Sequence, residues 1–341
     1  MIFVYACVFL VAFALTFLLT PAVRRVALRF NVMDRPVTPV KTHKVPVPYL
    51  GGVGIFVGVV GSLAIVRGLT HFPTGTLHAL RGLLWGGLVI LALGLIDDLK
   101  KPDGLTFYMK FLFQFAASAL LIAFDIRIRF VQPVWLANVL TVLWVTGISN
   151  AINLIDIMDG LAASQSFVAA TAFLLIAIPT EAVYVNVAAV AVAGASLAFL
   201  PHNFSKQHKI FMGDAGSLTL GFWLAGISLG TEYSRLNQVG VFAPLLILGL
   251  PVYDTFFVSC LRLLQGKSPF LGSRDHLAQK LRGLGLTGRQ VVLVFAAVAA
   301  TLSAAAFFLT LTPFYISVAV IGAVALLGLI VMLKLYDVVA E

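Results

Sequence analysis

The chain has 341 residues, of which 60% are hydrophobic and only 11% charged, and its mean hydropathy is +1.03. Ordinary soluble domains carry roughly 25% charged residues, so the composition excludes a soluble enzyme and predicts an all-α, polytopic integral membrane protein. The net charge of +9 is not spread over a soluble basic face interleaved with aromatics, which excludes nucleic acid as a partner and leaves Lys and Arg to report topology and headgroup contact.

In chain order, about eleven apolar segments reach membrane-spanning length, at approximately 2–21, 49–67, 78–96, 107–124, 132–149, 160–178, 183–200, 217–231, 239–264, 290–311 and 313–334. The first has no basic start. Its Arg24, Arg25 and Arg29 come afterwards, the reverse of a cleaved signal peptide, so a retained helix with its N-terminus outside is expected. Alternating the loops from there puts 18 of the 23 Lys and Arg residues on one side. The positive-inside rule makes that side cytoplasmic, and the C-terminus falls there too. No repeat, low-complexity linker or soluble insert interrupts the pattern, so residues 1–341 read as a single membrane-embedded domain. Cys7 and Cys260 lie in apolar stretches and read as small packing residues, with no disulfide framework or zinc site.

The acidic residues carry the functional signal. A carboxylate at the edge of the hydrocarbon region is costly and marks a functional site by default. Asp34, Asp97, Asp98, Asp103, Asp156, Asp159, Asp214 and Asp275 all fall on the side that the basic residues alone assign to the cytoplasm, whereas Glu181 and Glu232 fall outside. Carboxylates converging on one face suggest a cation there, and a cation suggests phosphate chemistry.

The motifs follow in order. The basic loop 22–48 holds Lys41, His43 and Lys44, which can neutralise a lipid phosphate, although positive-inside bias also accounts for them. Asp97 and Asp98 end an apolar run and point about 100° apart on a helix. One can face a metal while the other faces a nucleophile or a lysine. The plainer reading is a helix end salt-bridged to Lys100 and Lys101. Asn150, Asn153, Asp156 and Asp159 recur every third residue and predict one polar stripe on an apolar helix. Their oxygens suit a hard cation, Mg²⁺ or Mn²⁺, or hydrogen bonds to a sugar or base; an interhelical hydrogen-bond seam is the structural alternative. Gly213-Asp214-Ala215-Gly216-Ser217 opens a further apolar helix. Small residues there allow close backbone approach to a ligand, a helix N-terminus attracts an anion, and Asp214 can bind a metal bridging to phosphate or simply cap the helix. Last, the stretch from Lys267 to Arg289 puts Leu277, Leu281 and Leu284 on one face of a short helix, an interfacial amphipathic pattern. Arg274, His276 and Lys280 there can bind pyrophosphate or anchor to headgroups.

Together these pieces resemble the polyprenyl-phosphate N-acetylhexosamine-1-phosphate transferase superfamily. The matching runs are Lys41 to His43 and Pro48 to Gly52, Gly94 to Asp98, Asn150 to Asp156 with Asp159 to Ala162, Pro201 to Phe204, Phe211 to Ser217, Pro251 to Thr255, and Asp275 to Leu277, in the family's order over roughly 34–287. The short spacing from His43 to Pro48 is more similar to the N-acetylglucosamine branch than to the phospho-MurNAc-pentapeptide translocase. Two places depart. Ile157 and Met158 fill the middle of an Asp-Gly-Leu-Asp-Gly run. Ala278 and Gln279 replace two histidines of a His-x-His-His pattern, leaving only His276, so roles resting on the missing histidines do not transfer.

The resemblance implies a multi-pass enzyme of the bacterial inner membrane, with its site facing the cytoplasm. It would transfer a HexNAc-1-phosphate, GlcNAc-1-phosphate first among them, from a UDP-N-acetylhexosamine to undecaprenyl phosphate, releasing UMP and initiating cell-envelope polysaccharide or teichoic acid synthesis. Mg²⁺, with Mn²⁺ as a substitute, is the implied cofactor; a homodimer is a further expectation. Asp98 and Asp214 would hold Mg²⁺ with Asp156 or Asp159 as a third ligand. His276, Arg274 and Lys280 would hold pyrophosphate. Asp97 would orient or deprotonate the lipid phosphate, and Lys41, His43, Lys44, Asn150, Asn153, Asn203, Gly213 and Ser217 would bind substrate. The competing readings are a phospho-MurNAc-pentapeptide translocase type, an intramembrane prenyltransferase and a transporter. A prenyltransferase wants two aspartate motifs in opposite halves; a transporter wants midplane carboxylates and paired repeats.

Overall fold

The computed structural model describes residues 1–36, 45–73, 75–101, 103–180, 182–234, 236–268, 273–336 and 338. Among them the helices are α1 (Ile2–Arg29), α2 (Gly51–Leu69), α3 (Thr76–Lys100), α4 (Phe107–Ala123), α5 (Val134–Ile155), α6 (Leu161–Ala177), α7 (Val183–Asn203), α8 (Gly213–Ser228), α9 (Ala243–Ile247), α10 (Gly249–Leu264), α11 (Leu277–Gly283), α12 (Gly288–Leu311) and α13 (Phe314–Leu335). The all-α expectation holds apart from one two-residue antiparallel pair, β1 (Met33–Asp34) on β2 (Val47–Pro48), with Met33 opposite Pro48.

Among the described residues, eight helices are long and apolar enough to cross a membrane. There are nine if residues 238–247 and α10, which meet at a 73° bend, form one span. The two remaining expected segments correspond to α4 and α8, of 17 and 16 residues. A 16-residue helix extends about 24 Å, short of the ~30 Å hydrocarbon core. The reason for the short α8 is its position. It runs through the middle of the bundle with α2, α3, α5, α6 and α7 around it, and every residue from Ala215 to Ser228 is buried. Its apolar character reflects burial in protein, which hydropathy does not separate from burial in lipid. By contrast α1, α4 and α13 leave Leu10, Leu18, Leu112, Phe115, Leu327 and Leu333 exposed, as a lipid-facing surface requires.

Close backbone approach brings the chemistry-bearing ends together. A Cβ at Gly94 would lie 2.4 Å from Ala215 Cα, so only glycine lets the last turns of α3 rest on the first turn of α8. The segment before α2 is stitched to the segment before α8 by Phe211 N donating to Pro48 O at 2.9 Å, Gly51 N to Phe211 O at 3.0 Å and Gly52 N to Met212 O at 2.9 Å. The C-terminal ends of α3 and α5 and the N-terminal ends of α4 and α8 therefore meet at one end of the bundle.

Candidate active site

Two lysines and three aspartates form a chain of charges at that meeting point. Lys101 Nζ lies 2.8 Å from Asp98 Oδ1 and 3.1 Å from Asp214 Oδ1. Lys110 Nζ lies 2.9 Å from Asp97 Oδ2 and 3.0 Å from Asp214 Oδ2. Asp214 is thus bridged on both oxygens. Burial works against the Lys101 ammonium, but the charges of Asp214 and Asp98 outweigh it and hold its pKa above the ordinary lysine value. The Lys101 ammonium also sits over the Tyr49 ring, 5.1 Å from its centroid, while Tyr49 donates its hydroxyl to the Asp98 carbonyl at 2.7 Å.

Asp98 is fully buried and does more than hold a lysine. Its Oδ1 accepts from Asp214 N and its Oδ2 from Ala215 N, both at 3.0 Å. The anion attracted to the N-terminus of α8 is therefore the protein's own carboxylate. Asp97 accepts the Leu105 N–H at 2.6 Å on its other oxygen, fixing the turn that leads into α4. Asp214 lies in the first turn of α8, whose N-cap is Met212, and its two oxygens go to Lys101 and Lys110, so the capping alternative does not hold.

In front of this network lies a cavity of about 910 Å³. Asp156, Asp159 and Asp214 line it, and so do Lys206, Arg282 and Arg289. Asp159 is paired with Lys209 at 2.5 Å. Asp156 is half-buried at the wall. The loss of water around it, and then the charge of Asp214, push its carboxyl up to about 8. Asn153 lines the cavity and donates to Ser217 Oγ at 2.8 Å, while Ser217 donates to Gly213 O at 3.0 Å. Asn203, on the same wall, accepts from Gly160 N and donates to Ile210 O at 2.9 Å.

A family model described as Glycosyl transferase family 4 matches residues 80–232, the stretch that carries Asp97, Asp98, Asp156, Asp159 and Asp214. The protein described as "Probable undecaprenyl-phosphate N-acetylglucosaminyl 1-phosphate transferase" of Bacillus subtilis (strain 168) is 32% identical over 295 residues, covering 84% of this chain and 79% of the relative. The chain belongs to glycosyl transferase family 4. The "Decaprenyl-phosphate N-acetylglucosaminephosphotransferase" of Mycobacterium tuberculosis (strain ATCC 25618 / H37Rv) is 30% identical, over 85% of this chain and 78% of its own. The "Undecaprenyl-phosphate alpha-N-acetylglucosaminyl 1-phosphate transferase" of Escherichia coli (strain K12) is 26% identical, over 82% and 77%. This family member is a membrane-embedded transferase.

Several expected site residues lie elsewhere. The polar stripe breaks, because steps of three residues drift by about 60° each on a helix and α5 ends at Ile155. Asn150 is paired with Gln114 through reciprocal bonds of 3.2 and 3.1 Å, a seam between α4 and α5, while Asp156 and Asp159 sit in the following turn. His276 is buried and its Nδ1 is held by Asp254 at 2.6 Å. Lys280 is buried too, and its ammonium binds the carbonyls of Tyr336 at 3.2 Å and Val338 at 2.8 Å. Neither lines the cavity, and exposed Arg274 does not either. The surface-helix pattern over Leu277, Leu281 and Leu284 fails for the same reason: Leu277, Ala278, Gln279 and Lys280 are all buried. Among the described residues, no three His, Cys, Asp or Glu side chains stand close enough to hold an ion by themselves. For Asp98 the cause is plain, since both its oxygens are used inside the protein. Lys41, His43 and Lys44 lie outside the described residues. In the sequence, Lys110, Lys206, Lys209, Arg282 and Arg289 are not distinguished from cations that merely set topology.

Proposed function

We propose that the protein transfers GlcNAc-1-phosphate from UDP-GlcNAc to undecaprenyl phosphate, releasing UMP. The observation that carries this reading is one cavity in which a carboxylate wall, Asp156, Asp159 and Asp214, stands with Lys206, Arg282 and Arg289 beside a lysine-bridged aspartate network. Both reactants are phosphate anions, and cations must offset their repulsion before they can meet. The names carried by the family relatives give the substrates their chemistry.

In the reaction, an oxygen of the lipid phosphate attacks the β-phosphorus of the donor. The new P–O bond joins the two, the bond from β-phosphorus to the bridging oxygen breaks, and UMP leaves with that electron pair. A phosphate monoester has a second pKa near 6, so the nucleophile is mostly ionised at neutral pH and positioning dominates over proton removal. Asp97 fits that emphasis. Both its oxygens are engaged, by Leu105 N and Lys110, so it acts as a positioning residue that aims the Lys110 ammonium.

The donor set suits a divalent cation. Mg²⁺ is usually held by one or two carboxylates together with waters and substrate phosphates, and Asp214 and Asp156 line one cavity. The Asp156 carboxylate has no hydrogen bond or ion pair among the described residues. These two would hold the ion, Asp214 by releasing Lys101 or Lys110 from the oxygen it now shares with them, with Asp159 next in reach through its turn. Bound there, Mg²⁺ supplies charge neutralisation and polarisation of the diphosphate. A pH dependence follows. In the unloaded protein Asp156 keeps its proton up to about 8, and cation binding must expel it. Mg²⁺ affinity is then full above that pH and weakens by up to about tenfold per unit below it. Calorimetry in buffers of different ionisation heat should report close to one proton released at pH 7, and none in Asp156→Asn. PH-independent affinity in the wild type would remove Asp156 from the cation site.

The remaining assignments rest on the charge bias of the loops. With α4 and α8 read as short spans beside the nine longer ones, this reading has the N-terminus outside and the cavity and C-terminus in the cytoplasm of a bacterium with its inner membrane as the site, where the product would initiate a cell-envelope polysaccharide or teichoic acid; a homodimer is compatible with the exposed apolar faces. The test of function is UMP release by purified protein given Mg²⁺, undecaprenyl phosphate and a panel of UDP-sugars. UDP-GlcNAc should be the preferred donor. No UMP from any donor would overturn the reading.

A further inference from the structure

Lys101 and Lys110 both bridge to Asp214, but they stand differently. Among the described residues, Lys101 lines the cavity and Lys110 does not. The Lys101 side chain is 28% exposed, so its ammonium is the one that an incoming phosphate meets. The sequence puts this lysine at the C-cap of α3, where a helix frays most readily, and a lysine side chain has much rotamer freedom to lose. Both the helix end and the ammonium need to be fixed if the charge is to stay at the cavity wall.

Tyr49 touches both. It is buried between β2 and α2 and bridges to Phe211 in the segment before α8. Its hydroxyl donates to Asp98 O at 2.7 Å, a last-turn carbonyl of α3 that the Lys101 N–H reaches only at 3.4 Å. Its ring lies under the Lys101 ammonium, 5.1 Å from centroid to Nζ, inside the roughly 6 Å over which a ring face attracts a cation. If Asp214 passes to a cation, Lys101 still keeps Asp98 and this ring. We propose that Tyr49 is a positioning residue for the transfer, whose ring holds the Lys101 ammonium at the cavity wall, where it offsets the charge of the substrate phosphates. This rests on the transfer reaction proposed above. A ring face attracts a cation but carries no net charge, so it holds Lys101 without repelling the phosphates as a further carboxylate would.

Tyr49→Leu and Tyr49→Phe test it as a pair. Both lose the hydroxyl bond to Asp98 O, so both should have a lower Tm, but only phenylalanine keeps the ring. In steady-state kinetics, kcat of Tyr49→Phe should stay within about threefold of wild type, and kcat of Tyr49→Leu should lie about tenfold below that of Tyr49→Phe. The same pair is then made in a Lys101→Gln background, which keeps an N–H donor for the aspartates and removes the charge. There the two should differ by no more than about twofold, because the ring has no ammonium left to hold. A ring that only fills space separates the pair by the same factor in both backgrounds, and that result overturns the proposal. So does a Lys101→Gln protein as active as the wild type, or a Tyr49→Leu protein that fails to fold where Tyr49→Phe folds. A wild type that releases no UMP overturns the reaction itself. A wild type that turns over, with the two variants equal in kcat, overturns only the role of Tyr49.

Discussion

Asp214→Asn is expected to lower kcat by roughly 10²–10³-fold while leaving the fold intact. Asparagine keeps the shape but removes the charge that Lys101 and Lys110 share at 3.1 and 3.0 Å. Each lysine then keeps only one carboxylate, Asp98 or Asp97, and the ammonium groups lose the anchor that sets their separation. A second consequence separates this from a general structural defect. Asp214 is the main charge that raises the Asp156 carboxyl, so in the variant Asp156 should titrate lower and the pH dependence of Mg²⁺ affinity should move down with it. Steady-state kinetics and a Mg²⁺ titration at several pH values check both. Activity within about tenfold of wild type, with an unchanged Mg²⁺ titration, would remove Asp214 from the site.

Asp98→Asn should instead act through the fold. The carboxylate is fully buried and accepts from Asp214 N, Ala215 N and Lys101 Nζ. An amide in its place turns one acceptor into a donor facing a donor. Breaking a buried charged network of this kind costs about 3–5 kcal/mol, here partly relieved because the Lys101 side chain is 28% exposed. The loss should appear as a lower Tm in detergent and as faster exchange of the Asp214 and Ala215 amide hydrogens, with activity falling alongside. Gly213→Ala approaches the same point from the other side. Gly213 has φ +70°, and an added Cβ would lie 2.3 Å from Asp98 Oδ2, so the substitution strains the backbone and displaces the carboxylate together. Wild-type Tm and exchange in Asp98→Asn would contradict the anchoring role.

How much of this was legible beforehand depended on what each residue costs in a membrane. Asp97, Asp98, Asp156, Asp159 and Asp214 stand out because a carboxylate beside an apolar run is expensive unless it is used, and the structure does gather them at one end of the bundle. Their partners were harder to see. Lys110 and Lys209 look like ordinary membrane-edge cations in a sequence, because the same residue type serves topology and catalysis. The sequence of α8 does not reveal that protein surrounds it on all sides, since an apolar helix in a protein core and one in lipid share a composition. His276 and Lys280 drew attention as charges near a motif, but Asp254 and the carbonyls of Tyr336 and Val338 claim them, contacts that span 22 to 58 residues and leave no local pattern. Asn150 pairs with Gln114 across two helices, the interhelical alternative that spacing alone left open.

In the proposed reaction the sugar and its β-phosphate move together onto a lipid phosphate. The most direct measurement uses UDP-GlcNAc labelled with tritium in the sugar and ³²P at the β-phosphate, incubated with purified protein, Mg²⁺ and undecaprenyl phosphate, followed by extraction of the lipid. Both labels should enter the lipid in equal amounts, only when acceptor is present, with UMP appearing in step and with Asp214→Asn nearly silent. Tritium entering the lipid without ³²P would mean glycosyl transfer with UDP as the leaving group, and would contradict the account.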